Sequence, residues 1–148
     1  YATPTATQDV RAAAGVNDAM LAVGRVLIAM IFISSGLEKF MGLSEVTAQL
    51  ASKGFPMPNL FAIASAALEL GGGILIVIGW QTRIFALALA VFTGVAAYFF
   101  HDFWHLPPGM EHTNNMIHFM KNISMAGGLL YVWVFGSGPL SVDGKSAQ

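Results

Sequence analysis

The chain has 148 residues and a mass of 15.7 kDa, enough for one domain. Apolar residues make up 55% and charged residues 10%, against about 25% charged in a soluble domain. The mean hydropathy is +0.65. These values exclude a disordered chain, a coiled coil and a soluble enzyme with a charged surface, and they point to a polytopic membrane protein. The net charge is −1 and no basic run is long enough for nucleic acid. With no cysteine, the chain can form no disulfide, thiolate nucleophile, Fe–S ligand set or CxxC pair.

Residues 1–18 form a small, polar N-terminal segment without the apolar core of a signal peptide. Four apolar segments follow, at 19–40, 60–80, 84–104 and 116–135. Each has about the 20 residues that a helix needs to cross ~30 Å of hydrocarbon. They run continuously apolar without alternating, which excludes a β-barrel. The spacing predicts an all-α, four-helix membrane bundle over 19–143 with a tail at 144–148. Between spans one and two, Leu43–Lys53 places Leu43, Val46 and Leu50 on one face, as a short interfacial helix does. Gly54, Pro56 and Pro58 end it. Gln81–Arg83 forms a tight turn, and Pro107–Pro108–Gly109 marks a loop. Trp80, Phe103, Trp104 and Trp133 sit near span ends, where an aromatic belt lies.

Four spans place both termini on one side. Arg11, Arg25, Arg83 and Lys145 fall on that side; Lys39, Lys53 and Lys121 fall on the other. That count favours cytoplasmic termini.

A charge at the centre of a membrane helix costs about 2.5–3.5 kcal/mol on insertion scales, so such residues face protein or water. At 1.5 Å per residue, Glu38, Lys39, His101 and His118 lie within ~5 Å of the end opposite the termini, here the far end. Lys121 lies ~7.5 Å, Glu69 ~13.5 Å and Arg25 ~22 Å from it. Four helices thus bring ionisable groups into the far half, with Glu69 deepest. Glu69 has two candidate partners, Lys121 from above and Arg25 from below. The cluster reads either as a ligand or proton site, or as inter-helix salt bridges that hold a small bundle together.

His101 and His105 stand four apart, a spacing that suits a metal if both lie on one helix. No third ligand has a defined spacing, so no metal site is assigned and interfacial hydrogen bonding accounts for them. His101 and His118 reach similar depth, as a bis-His haem requires, but nothing else marks a haem pocket. Gly71–Gly72–Gly73 and Gly127–Gly128 fall inside spans, where small residues allow close helix approach. Asn122–Ile123–Ser124 matches a glycosylation triplet, yet it lies within a span.

Taken together, four blocks resemble the DoxX family of membrane proteins. They are Ile31–Phe40 (IFISSGLEKF), Leu68–Gly79 (LELGGGILIVIG), Thr82–Arg83 with the apolar run to His101, and Phe119–Leu130 (FMKNISMAGGLL) followed by Gly138 and Ser141–Asp143. They occur in family order across residues 20–143. The resemblance implies a four-helix protein of the bacterial inner membrane. It picks out Lys39, Glu69, His101, Lys121 and Asn122 as the matching polar positions. Some relatives are described as subunits of thiosulfate:quinone oxidoreductases and others as membrane partners in oxidative-stress complexes. The expected function is therefore a membrane subunit of a quinone-linked redox complex, with a quinone the implied cofactor. The candidate pocket comprises Glu38, Lys39, Glu69, His101, His118, Lys121 and Asn122, with Arg25 as a buried charge partner. The alternative is a non-catalytic accessory subunit of a larger respiratory or photosynthetic assembly. Expected partners are the lipid bilayer and either other membrane subunits or a second copy.

Overall fold

The computed structural model describes residues 6–146, with side chains from 15 to 145. Among these residues every regular element is helical and no strand occurs. Helix α1 runs Ala6–Met41, α2 Leu43–Ser52, α3 Pro58–Ile78, α4 Thr82–Phe100, α5 Met110–Phe135 and α6 Val142–Ser146. A short 3-10 turn, Phe103–His105, links α4 to α5.

Sequence chemistry sets these boundaries. The alanine-rich stretch before Gly15 favours helix, so α1 begins well ahead of the apolar segment expected from residue 19. Gly42 breaks it and α2 follows at once. The expected interfacial helix is present as α2, with Leu50 buried. Pro58 opens α3, where its missing N–H costs nothing. Gly79 closes α3 at φ 71° in the left-handed region, and its N–H donates to the carbonyls of Leu75 and Ile76.

Helices α1 and α3 are antiparallel and very close. A methyl group added at Gly36 would collide with the Leu70 backbone, and one at Gly73 would meet Ile33. Glycine at both positions lets the two backbones approach. Helix α4 folds back along α3, with Gly72 against Leu89, and α5 returns along α4. Helix α1 meets α5 near Ile28 and Gly128. The core is built from Ala29, Phe32, Ile76, Ala86, Leu89, Ala90 and Leu129. Lipid is as apolar as these side chains, so close van der Waals packing of small residues holds such helices together.

The protein is an all-α membrane protein. Three helical stretches among the described residues are long and apolar enough to cross a membrane: Gly15–Met41, Pro58–Ile78 and Thr82–His105. The fourth expected span, 116–135, lies within α5. That helix has 26 residues, about 39 Å at 1.5 Å per residue. Its first half carries Glu111, His112, Asn114, Asn115, His118, Lys121 and Asn122, so its apolarity falls below that of the other three.

Candidate functional site

Ser35 and Lys39 stand one turn apart on α1, and Glu69 faces them from α3. Lys39 Nζ donates to Glu69 Oε2 at 2.5 Å and to Ser35 Oγ at 3.1 Å. Ser35 Oγ donates to the same Oε2 at 2.9 Å. The Lys39 ammonium also lies 5.7 Å from the centroid of the Phe92 ring on α4, within cation–π range. The Glu69 side chain is 7% exposed and that of Lys39 26%.

The sequence offered Lys121 and Arg25 as partners for Glu69; the structure gives it Lys39. The reason is register. Residues 36 and 70, and 33 and 73, lie face to face. Helix α1 therefore ends well short of the level at which α3 begins, and α2 fills the difference. Counting depth from span ends placed Lys39 too far from Glu69. Side chains also lean toward the N-terminus of their helix. In antiparallel helices Lys39 and Glu69 thus lean toward each other.

The remaining candidates divide into separate groups. At the far end of α4 and α5, the rings of His101 and His118 stack with centroids 5.2 Å apart. Asn115 hydrogen-bonds the His101 ring. Lys121 Nζ lies 3.3 Å from His118 Nδ1, on an exposed side chain. His101 stands nine residues beyond Phe92, about 13 Å along α4, so this group does not join Glu69. Helix α4 ends at Phe100, so His101 and His105 do not share a helix face. Asp102 draws Lys53 and His105 to 3.5 Å at the same end. Asn122 is partly buried on α5. Glu38 is exposed on α1 and, among the described residues, makes no ion pair with the other candidates.

Arg25 belongs to the opposite end. It is 4% exposed and its Nη2 donates to the Leu140 carbonyl at 2.5 Å. Its Nε and Nη1 are buried and have no partner among the described residues. Next to it, the backbone N–H groups of Gln81 and Thr82 donate to Asp143, each at 2.9 Å. The Asp143 N–H returns a bond to the Gly79 carbonyl at 2.8 Å. Burial raises the pKa of Asp143, but the N–H donors of Thr82 and Gln81 and the charge of Arg25 outweigh it. The carboxyl is held below its usual value. Asp143 thus caps α4 from the far end of the sequence. Residue-level reading missed Ser35, Phe92, Asn115 and Asp143 as participants. Only Ser35 had a local signal, its four-residue spacing from Lys39.

The DoxX family model matches residues 20–102, more than half of the chain. The chain belongs to the DoxX family. The DoxX match contains Arg25, Ser35, Lys39, Glu69, Phe92 and His101, whereas Lys121, Asn122 and Asp143 lie beyond it. Among relatives, the inner membrane protein YphA of Escherichia coli is 37% identical over 124 residues, covering 84% of this chain and 88% of YphA. The inner membrane protein YqjF of the same organism is 32% identical over 127 residues, covering 86% of this chain and 92% of YqjF. A Bacillus subtilis protein named "Putative oxidoreductase CatD" is 37% identical over 67 residues, 45% of this chain and 48% of its own length. No solved structure matches the chain significantly.

Proposed function

We propose that this DoxX-family protein is a membrane subunit of a quinone-linked oxidoreductase in the bacterial inner membrane, and that Lys39 and Glu69 engage the quinone headgroup. The observation that carries the reading is the unequal exposure of the pair. Glu69 is dry, while Lys39 remains a quarter open. An ammonium has three N–H donors. Glu69 and Ser35 take two of them, and the third is free to meet a quinone carbonyl. Reduction consumes electrons and protons in equal number. Lys39 can pass a proton to the carbonyl oxygen and, being itself a quarter exposed, take one back from water, while Glu69 and Ser35 hold the ammonium in place. Electrons come from a partner subunit, because this chain has no thiolate to hold an Fe–S cluster. His101, His118, Lys121 and Asn122 stand between this pair and the far surface. The name of the Bacillus relative supports the redox class.

In this reading α5 is the fourth crossing and both termini are cytoplasmic. A chain without cysteine makes this simple to test. An impermeant maleimide added from the periplasm should label Ser52→Cys and leave Lys145→Cys untouched.

A second reading is the non-catalytic accessory subunit. The observation favouring it is that Lys39, Ser35 and Glu69 already satisfy one another. Purification from native membranes, with mass spectrometry of proteins, lipids and quinones, separates the two. The redox reading expects redox subunits and a quinone that is lost in Glu69→Gln. A stable assembly with no quinone in either form favours the accessory role.

A further inference from the structure

Glu38 is a sequence-selected charge that the bundle leaves outside and, among the described residues, without an ion pair. Helix α1 has two opposite faces. Arg25, Ala29, Phe32 and Gly36, at steps of four, three and four, are buried. Leu27, Ile31, Ser34 and Glu38 repeat the same steps two residues later, which turns them about 200° to the other side. All four are exposed, Leu27 by 64% and Ile31 by 41%. Ser34 spends its hydroxyl on the carbonyls of Met30 and Ile31 within its own helix.

The register that sets residue 36 against 70 places Glu38 level with Leu68. Leu68 is the middle residue of α3, a helix of membrane-spanning length. The carboxylate therefore stands at the depth of hydrocarbon. Its lean toward the N-terminus of α1 carries it away from the α1–α2 corner. Among the described residues, no ion pair or hydrogen bond reaches it. An ionisable group at that depth is met by protein or water, and membrane helices associate through such polar contacts.

We propose that the outward face of α1 formed by Leu27, Ile31, Ser34 and Glu38 docks a membrane-spanning helix of a partner protein that carries a lysine or arginine level with Glu38. Charge complementarity selects this occupant. A second copy of this chain fits less well. Among the described residues, its exposed cations Lys53, Arg83 and Lys145 lie outside the spans or at a span end, and the remaining one, Lys121, lies beside the last turn of α4 and pairs with His118. That is about six residues, or ~9 Å, nearer the far surface. Leu27 and Ile31 on the same face supply apolar surface for a helix to pack against. The inference stands apart from the redox reading, since an accessory subunit needs the same surface.

The test uses the full chain expressed in its native membranes. Ser34→Cys provides a unique attachment point for a photo-crosslinker, and Val91→Cys on the exposed side of α4 is the control. Ser34→Cys should capture one membrane protein whose crosslinked peptide contains a basic residue within a transmembrane segment, and Val91→Cys should not. Adding Glu38→Gln should lower that yield by at least about thirtyfold, as truncating one member of a desolvated charge pair does. Glu38→Lys should abolish it, and changing the partner's basic residue to glutamate should restore it. Capture of a second copy, of lipid alone, or of a partner whose yield is unchanged by Glu38→Gln would each overturn the proposal. Unchanged elution of Glu38→Gln in detergent shows that the fold is intact, because no internal contact is removed.

Discussion

Removing either member of the Lys39–Glu69 pair damages the protein unequally, and the inequality is calculable. Lys39→Met leaves a carboxylate that is 7% exposed with one neutral donor, Ser35. Stranding a buried charge in this way costs about 3–5 kcal/mol. Glu69→Gln keeps an acceptor for both Ser35 and Lys39. The ammonium it leaves behind is a quarter exposed and can recruit water. Its cost is that of weakening a charged hydrogen bond, about 1–2 kcal/mol. The double variant strands no charge, so its cost should fall below the sum of the two single costs by about 1–3 kcal/mol. Equilibrium unfolding in mixed micelles, followed by tryptophan fluorescence, measures all three. Equal single effects that simply add in the double variant would refute the argument, because they would mean that the two groups do not depend on each other.

Gly36→Leu should unseat α1 from α3, costing at least the ~1–3 kcal/mol of overpacking because Leu70 backbone stands in the way. Gly71→Ala, whose added methyl group meets nothing within 4 Å, should elute like the wild type in detergent. Asp143→Asn should destabilise the α4 cap by about 1–2 kcal/mol at neutral pH. The depressed carboxyl pKa of the folded state fixes the sign with pH. Its contribution is full above the unfolded value near 3.9 and vanishes as pH falls through the folded value. The stabilities of Asp143→Asn and wild type, measured from pH 7 to pH 3, should therefore converge at the acid end. Lys121→Met should change stability by less than about 0.5 kcal/mol, since the side chain is exposed. A larger loss in the same unfolding assay would reveal a structural role.

Helix positions and the all-α class were legible because apolar runs of span length have few other solutions. Glu69 was also legible as the deep acid, because a lone carboxylate inside such a run demands a partner. The identity of that partner was not. It depends on how far two helices slide past each other, and that is set by Gly36 and Gly73 meeting the opposite backbone, which a count from span ends does not capture. The inward or outward placement of Glu38 was hidden for a related reason. Adjacent residues on a helix point 100° apart, so Lys39 enters the bundle and Glu38 leaves it. Asp143 was invisible as a cap because it lies 61 residues from the backbone N–H that it accepts.

The bond from Arg25 to Leu140 bridges 115 residues, and this bears on how the protein is made. Arg25 leaves the ribosome 115 residues before its acceptor, and the cap of α4 follows just after that acceptor. Until then a charged guanidinium near one end of the bundle has no partner from its own chain. The helices can enter the membrane in order, but the bundle locks only once Leu140 and Asp143 have emerged. A chain that stops before Leu140 would retain its long helices and lack the bond that closes them, leaving it for quality-control proteases to recognise.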